Sequence, residues 1–303
     1  MSIQWFPGHM HLTRQAIRER MKAGIDVVVE LLDARCPGSS QNPLLQQLTA
    51  HKPTLKLLNK QDLADPQRTA AWLAHFNALP HTRARELQAT RAPAKALLAA
   101  CRELAPTRNS AVKPLRLLIC GIPNVGKSSF INALMGGRRA TKTGDEPGIT
   151  KTEQRLMLGQ DCLIFDTPGM LWPKIAAPEC GWNLAASGAV GRNALDEESV
   201  ALELIQRLQS GYPQAMAQRY GIDTPAEATA DELLARLARK RGAVLAGGQL
   251  NLQKAAEVLI HEFRQGLLGR ITLETPEQFQ AWSRAAAQAQ PDGGDMDTET
   301  EAD

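Results

Sequence analysis

Aromatic residues are scarce in this chain: they make up 4% of its 303 residues, including two tyrosines and six phenylalanines. Because proteins that stack bases need aromatic platforms, this scarcity argues against base-specific readout of nucleic acid. Long apolar runs are also missing, since none approaches the ~18 residues of a membrane span. The opening "MSIQWFPGHMHLTRQ" lacks the apolar core of a signal peptide. We therefore expect a cytoplasmic protein without a membrane partner.

Cysteine is sparse and unpatterned. The five residues are Cys36, Cys101, Cys120, Cys162 and Cys180, and no two of them form a C-x-x-C pair. An odd, scattered set does not make a disulfide framework, and zinc sites usually use closely spaced ligand pairs. We expect free thiols in a reducing compartment.

Charge is unevenly distributed along the chain. The formal net charge is +3, yet the last thirteen residues, "PDGGDMDTETEAD", hold six acids and no base. This composition predicts a disordered acidic tail on a basic body. A basic body fits a polyanionic partner, although charge alone does not identify one.

Short apolar runs alternate with helical stretches in the first part of the chain. Runs at 25–33, 54–59 and 116–121 are rich in apolar residues and end in polar residues or glycine, which is typical of buried parallel strands. The stretches 154–159 and 162–166 resemble a strand pair. The pattern predicts an α/β sheet with helices on both faces.

The pattern changes near Pro178. Beyond it, 196–209 and 252–269 have apolar residues at helical spacing, and Thr229 with Glu232 matches a capping box. No convincing strand is found there. We predict an α/β domain over 1–177, a helical domain over 178–290 and the acidic tail over 291–303.

The stretch "GIPNVGKS" at 121–128 matches G-x-x-x-x-G-K-[ST] between a predicted strand and a predicted helix. Its glycines let backbone N–H groups turn toward phosphate oxygens, Lys127 brings positive charge to the β- and γ-phosphates, and Ser128 offers a hydroxyl to Mg²⁺. A glycine-rich surface turn is the alternative, which the Lys-Ser pair and both flanks disfavour. The residues assigned to GTP binding here are Asn124, Val125, Gly126, Lys127, Ser128 and Ser129.

Two elements after the phosphate loop complete a phosphate site. "DTPG" begins at Asp166, whose carboxylate can hold Mg²⁺ through water, and the N–H of Gly169 can face the γ-phosphate. Between the motifs, "DEPGITKT" at 145–152 offers a threonine that can close on Mg²⁺ when the γ-phosphate is present. Thr150 is our choice, as a Mg²⁺ ligand with a catalytic role, and Thr152 is the alternative. An ordinary Pro-Gly loop is the other interpretation.

The stretch "NKQD" has the N-K-x-D form of a guanine-binding loop. Asp62 can accept the N1–H and 2-amino hydrogens of guanine, which adenine lacks. Asn59 is predicted to meet O6 and N7, and the stem of Lys60 to cover the base. A second guanine loop is placed at 88–90 around Ala89, although "QAT" matches its usual form poorly. A polar loop after a strand is the alternative for "NKQD".

The order of these motifs is unusual, because the guanine motif precedes the phosphate loop. In ordinary GTP-binding domains the phosphate loop comes first. The chain therefore carries the GTPase motifs in circularly permuted order. The same parallel sheet can form from either order, because termini at the surface can be joined and reopened elsewhere.

The chain resembles the circularly permuted GTPases of the RbgA/YlqF family, ribosome biogenesis GTPase A. The resemblance covers nearly the whole chain and rests on "IQWFPGHM", "DARCPGSSQNP", "LLNKQDL", "GIPNVGKSSFIN", "KTGDEPGITK", "DTPGMLWPK" and "GGQLNLQKAAEVLIHEFRQGLLGRI". It implies a P-loop GTPase fold with a helical C-terminal domain similar to an RNA-binding antiterminator module. It also implies GTP hydrolysis with Mg²⁺ in late assembly of the large (50S) ribosomal subunit.

Catalysis needs a group other than the usual glutamine. Many GTPases place that glutamine directly after D-x-x-G, where this chain has Met170 and then Leu171. His9 in "WFPGHM" is a candidate to orient the attacking water, and a surface or rRNA-contacting histidine is the alternative. In similar GTPases an asparagine at the position of Asn124 helps to bind K⁺, and a turn residue tolerating unusual φ is the alternative.

The helical domain carries basic residues that RNA phosphates could contact: Arg236, Arg239, Lys240, Arg241, Lys254, Arg264 and Arg270. A solvated charged face is the alternative. We expect a GTP/GDP switch, monomeric off the ribosome, whose partners are the large subunit and its rRNA. The competing functions are a GTPase in RNA modification or signalling and a non-catalytic RNA-binding scaffold with structural GTP.

Overall fold

The computed structural model describes residues 9–89, 94–108, 113–136, 154–172, 175–191 and 196–289; the side chains of 9–13, 16 and 154 lie outside this description. The strands are β1 Val27–Asp33, β2 Thr54–Asn59, β3 Thr82–Glu86, β4 Leu115–Gly121, β5 Gln154–Leu158 and β6 Cys162–Asp166. The helices are α1 His9–Gly24, α2 Pro43–Thr49, α3 Pro66–Asn77, α4 Ala94–Leu104, α5 Lys127–Leu134, α6 Pro178–Ser187, α7 Glu197–Gly211, α8 Gln214–Tyr220, α9 Ala230–Lys240, α10 Leu252–Arg264 and α11 Pro276–Gln288, with a 3-10 turn at Gln61–Leu63. None of the helices described is long and apolar enough to cross a membrane.

The six strands form one sheet in the order β3-β2-β1-β4-β6-β5. Every neighbouring pair is parallel except β5 and β6, which are antiparallel. Leu31 of β1 lies opposite Leu57 on one side and Gly121 on the other. Because β1, β2, β4 and β6 run in one direction, the loops that follow them meet at one edge, where open α/β sheets bind ligands.

Both faces of the sheet are covered by helices. Val29 of β1 belongs to a core that includes Phe130 of α5, whereas Val28 belongs to a second core with Ile17 of α1. Strands that are buried on both faces need apolar residues at successive positions, which explains the continuous runs in the sequence. The predicted α/β sheet with helices on both faces is confirmed.

The helices after Pro178 build a further core. Leu204 of α7, Leu234 of α9 and Leu259 of α10 belong to it. The predicted capping box is present at the start of α9, where Thr229 accepts from the backbone of Glu232 and the Glu232 side chain accepts from the backbone of Thr229. An amphipathic helix with a satisfied first turn can bury its apolar face without orphaned amide groups.

Two elements of the helical part also contact the α/β part. Leu184 of α6 belongs to the core that packs on the sheet. Phe279 of α11 lies beside Trp72 of α3, with ring centroids 5.9 Å apart. The helical part is therefore joined to the sheet at both of its ends, and the domain limits 1–177 and 178–290 stay a prediction.

The sequence-based prediction missed β3 and misplaced the end of α10. The outward residues of β3 include Arg83 and Arg85, so the strand has no continuous apolar run. Helix α10 ends at Arg264 and does not reach Gly269, because the chain adopts a left-handed turn at Gly266 (φ 73°). Glycine tolerates this conformation and often follows a helix end.

Candidate nucleotide-binding site

The phosphate loop joins β4 to α5 at the centre of the sheet edge. Gly121 has φ 148°, and a Cβ there would lie 2.5 Å from the carbonyl oxygen of Leu31. Gly126 has φ 101°, precedes the first residue of α5, and would place a Cβ 2.3 Å from Nδ2 of Asn59. Only glycine fits either position, so the loop keeps its amide groups close to the edge where a ligand would lie.

Lys127 is the first residue of α5 and is buried. Its Nζ donates to the carbonyl oxygens of Gly121 (3.1 Å) and Ile122 (2.8 Å). Burial lowers the pKa of Lys127 to about 8, although the negative charge of Asp166 acts in the opposite direction. An ammonium group removed from water and held by neutral carbonyls gains strongly from an anionic ligand.

The "DTPG" segment docks directly on the phosphate loop. The Thr167 hydroxyl donates to the carbonyl of Ile119 (3.0 Å), and a Cβ on Gly169 would lie 2.8 Å from Cα of Pro123. Asp166 is almost completely buried at the end of β6. A buried carboxylate beside Lys127 suits a hydrated divalent cation, because such a cation compensates the charge that burial penalises.

The residues in place of the usual glutamine point into the core. Met170 is buried with Ile17 of α1 and Leu45 of α2, and Leu171 is buried in the core on the opposite face of the sheet. Asn42 holds this turn, because its Nδ2 donates to the carbonyl of Met170 (2.8 Å) while its Oδ1 caps α2. Neither Met170 nor Leu171 therefore offers a polar group for water.

Asn59 joins the guanine motif to the phosphate loop. Its Nδ2 donates to the carbonyl of Val125 (2.7 Å), and its Oδ1 accepts from the N–H of Ala89 (2.8 Å). Both ends of the amide thus have backbone partners, which the sequence did not indicate. The contacts of Asn59 with guanine O6 and N7 stay a prediction, and the structure gives this residue a positioning role beside it.

The other guanine-motif residues lie at the end of β2. Lys60 has a left-handed backbone (φ 62°), and its Nζ pairs with Asp33 at 2.8 Å. Asp62 follows in the 3-10 turn and is exposed, as a residue that meets a ligand from solvent must be. Ala89 is buried and donates its N–H to Asn59 of the motif, and its contact with guanine stays a prediction.

Asn124 occupies a left-handed position in the phosphate loop (φ 55°), and its Nδ2 donates to the carbonyl of Gly188 at the end of α6 (2.9 Å). Ser128 and Ser129 lie in the first turn of α5 and are half-buried. Thr150 falls outside the described residues, as do Thr90 and Thr152, and so does the side chain of His9, although its backbone begins α1.

The five cysteines are free, as predicted from the sequence, and all of them are buried. Burial raises the pKa of the Cys101 thiol to about 12, and Cys162 and Cys180 are shifted in the same direction. Thiols that stay protonated are poor nucleophiles and poor metal ligands. They are packing residues of the cores.

Three contact residues of the site escaped the reasoning from individual motifs: Asp33, Arg35 and Asn42. All three lie in "DARCPGSSQNP", which begins at the last residue of β1, the strand next to the phosphate-loop strand β4. Their position at the carboxyl end of a central strand could have identified them as site residues, because the loops at the carboxyl ends of neighbouring parallel strands meet at one edge of the sheet.

Comparison with known proteins agrees with this geometry. A family model described as "50S ribosome-binding GTPase" matches residues 116–235. A ribosome biogenesis GTPase A of Bacillus cereus is 38% identical over 286 residues, covering 92% of this chain and 96% of that protein. A mitochondrial ribosome-associated GTPase 1 of Xenopus tropicalis is 32% identical, covering 89% and 94%. The structure of GNP-bound YlqF from T. maritima superposes with a TM-score of 0.62 at 28% identity, covering 88% of this chain and 98% of that one.

Proposed function

The chain belongs to the ribosome biogenesis GTPase A family, and from that premise we propose that it is a GTP-hydrolysing assembly factor of the large (50S) ribosomal subunit. In this role it binds the maturing particle and leaves it according to the nucleotide it holds. One observation carries the proposal: the guanine motif, the phosphate loop and "DTPG" meet at one sheet edge although they are permuted in sequence.

Different residues of the site have different proposed roles in the transfer of the γ-phosphate to water. Backbone amides of the phosphate loop and the ammonium of Lys127 hold the phosphates, and the N–H of Gly169 faces the γ-phosphate position. Ser128, Asp166 and Thr150 are the proposed Mg²⁺ ligands, and the ion would neutralise charge that develops between the β- and γ-phosphates. Asp62 selects guanine at the other end of the site.

The rate of GTP hydrolysis with and without large subunits tests the function. The buried Met170 and Leu171 offer no hydrogen bond to water, so the isolated chain should be slow and 50S subunits should accelerate it. Stimulation by small subunits alone would favour another process, such as RNA modification or signalling. A low rate that no ribosomal particle changes would favour an RNA-binding scaffold with structural GTP.

We propose that Asn124 helps to bind a K⁺ ion beside the phosphates. Its donor end is directed at the carbonyl of Gly188, which fixes the orientation of the amide in the phosphate loop. A monovalent cation there would stabilise the developing negative charge, as an arginine finger does in other GTPases. Replacing KCl by NaCl should lower the hydrolysis rate by about tenfold. Asn124→Ala should be slow in both salts, and a wild-type rate that ignores the cation would contradict the site.

We propose that His9 orients the attacking water in the ribosome-bound state. It starts α1, whose Ile17 packs beside Met170, so the helix is anchored next to "DTPG". His9→Ala should leave GTP affinity and 50S binding nearly intact and lower 50S-stimulated hydrolysis by about 10²-fold. Single-turnover hydrolysis at saturating 50S measures this, with His51→Ala, an exposed histidine, as control. An unchanged rate would exclude His9 from catalysis, and lost 50S binding would reassign it to docking.

Contact with rRNA phosphates is proposed for only part of the basic set. Arg241 pairs with Glu262, Lys254 with Glu257, and Arg264 and Arg270 bond backbone carbonyls. The remaining residues line one depression beside residues 221–223: Arg236, Arg239 and Lys240. We favour these three side chains as phosphate contacts over the basic side chains that already bond groups within the protein.

Replacing Arg236, Arg239 and Lys240 together by Ala should weaken 50S binding and flatten its salt dependence. The slope of log K against log salt should fall by roughly 0.7 to 0.9 for each phosphate that the variant no longer neutralises. A triple Ala variant at Arg83, Arg85 and Lys95, which are exposed on the α/β part, removes equal charge as a control. Equal slopes in both variants would refute this surface.

We also propose that the chain is monomeric off the ribosome, which light scattering tests.

A further inference from the structure

A buried carboxylate lies between the guanine motif and the helical part. Asp33, the last residue of β1, accepts from Nε (2.9 Å) and Nη2 (2.7 Å) of Arg35 through its two oxygens. The second of these oxygens also accepts from Nζ of Lys60 at 2.8 Å. Burial alone would raise the pKa of the Asp33 carboxyl, but the charges of Arg35 and Lys60 outweigh it and hold the pKa well below its usual range.

This arrangement fixes the direction of the Lys60 side chain. The backbone of Lys60 is left-handed, a conformation that a lysine adopts only when its surroundings hold it there. With the ammonium anchored on Asp33, the stem reaches from the end of β2 to the end of β1, and it is predicted to cover the base. A lysine without this anchor would lose side-chain entropy on each binding event.

The same cluster reaches the C-terminal turn of α6. Nη2 of Arg35 donates to the carbonyl of Ser187 (3.1 Å), and Asn124 of the phosphate loop donates to the next carbonyl, that of Gly188 (2.9 Å). Arg264 of α10 donates to the carbonyl of Ala185 (2.7 Å) and to that of the following residue. Carbonyls at a helix C-terminus lack intrahelical partners and carry partial negative charge. Side chains from the base side, the phosphate side and the helical part therefore converge on one helix end.

Arg35 is the link between these groups. It is 1% exposed, and its guanidinium lies over the ring of Phe263 in α10 with its central carbon 5.2 Å from the ring centroid. A buried arginine with this geometry has few alternative positions, since leaving the Asp33 carboxylate would leave the guanidinium charge buried without its anionic partner. A movement of Lys60 that shifts Asp33 should therefore also shift Arg35 and its contacts in α6 and α10.

We propose that Asp33 and Arg35 are positioning residues: Asp33 holds Lys60 for guanine binding, and Arg35 ties the same carboxylate to the end of α6. Guanine binding is then coupled to the helical part by a route separate from "DTPG". This inference rests on the proposed nucleotide-binding function.

A double-mutant cycle tests the first half, using the full chain and GDP. Asp33→Asn and Lys60→Met should each weaken GDP binding by about tenfold, the value of one charged hydrogen bond. The double variant should bind no more weakly than Lys60→Met alone, because Asp33 acts through Lys60. Losses that simply add would overturn the positioning role. Wild-type protein that fails to bind GDP would instead refute the proposed function.

A control separates this role from the loss of any buried ion pair. Glu30 and Lys56 form such a pair on the same two strands, β1 and β2, at positions three residues before Asp33 and Asn59. Glu30→Gln should lower stability without changing GDP affinity more than about twofold. If it weakens GDP binding as much as Asp33→Asn does, general damage to the sheet explains the result and the inference fails.

Hydrogen exchange tests the second half. The amides of Gly188 and Ala189 bond to carbonyls within α6, so their exchange reports opening of its last turn. Saturating GDP should slow this exchange in the wild type, and Lys60→Met should abolish most of that effect. Lys60 is 23% exposed, so Lys60→Met should fold even if Asp33→Asn does not. Full protection by saturating GDP in Lys60→Met, or none in the wild type, would overturn the coupling.

Discussion

Asp62→Asn should exchange guanine specificity for xanthine specificity, with GTP affinity falling by about 10³-fold. The carboxylate of Asp62 would accept two hydrogens from guanine, each a charged hydrogen bond. An amide in its place presents a donor where guanine also donates. Xanthine has a carbonyl at that position and accepts from the amide, so the variant should regain affinity with XTP.

Asp62 suits this test because it is exposed in the 3-10 turn after β2. Its replacement removes no buried contact, and the fold should keep its stability. Binding of GTP and XTP to the variant, measured by fluorescence titration, decides the outcome. Asp231→Asn, an exposed carboxylate in the first turn of α9, is the matched control. Wild-type GTP affinity in Asp62→Asn would remove this residue from guanine recognition.

Much of the site could be predicted because each motif follows a strand. β1, β2, β4 and β6 are parallel, so residues far apart in sequence reach the same edge once the strand order is known. Sequence spacing placed Lys127, Asp166 and Asp62 at strand or helix ends, where the structure has them. The permuted order did not obscure this, because an edge is defined by strand direction and not by chain order.

The remaining contacts depend on tertiary packing that no local pattern encodes. The contacts of the Asn59 amide with the backbone of Val125 and Ala89 were not predicted. The end of α6 accepts hydrogen bonds from Arg35, Asn124 and Arg264, which are up to 229 residues apart in the sequence. Strand β3 was missed because its exposed side chains are charged and it lacks a continuous apolar run. Its other face, with Thr82 and Ala84, is recognised as buried only once the fold is known.

Lys127→Ala should lower GTP affinity by about 10³-fold, since the ammonium is proposed to form charged hydrogen bonds to two phosphates. The sequence alone indicated a lysine that faces the ligand. The structure shows its buried ammonium bonded to the carbonyls of Gly121 and Ile122, so a contact with phosphate would require it to exchange these partners. Titration with GTP and with guanosine separates the effects, because guanosine has no phosphate and should bind both proteins alike.

The buried charge of Lys127 also predicts how stability depends on pH. Its pKa is lowered from 10.5 to about 8, so the folded nucleotide-free chain holds the proton less well than the unfolded chain. The charged form therefore destabilises the fold fully below pH 8, by on the order of 3 kcal/mol, and this cost disappears as pH rises from 8 to 10.5. Lys127→Met keeps the stem volume without the charge.

Lys127→Met should therefore unfold at higher denaturant concentration than the wild type at pH 7, with a difference that shrinks toward pH 10. Urea unfolding without nucleotide measures this, with Lys52→Met, at a less buried lysine outside the site, as the control. Saturating GTP should reverse the order of stability, because only the wild type gains binding energy from the phosphates. A variant less stable than the wild type without nucleotide would mean that the ammonium is needed to hold the loop itself, and not chiefly to receive phosphate.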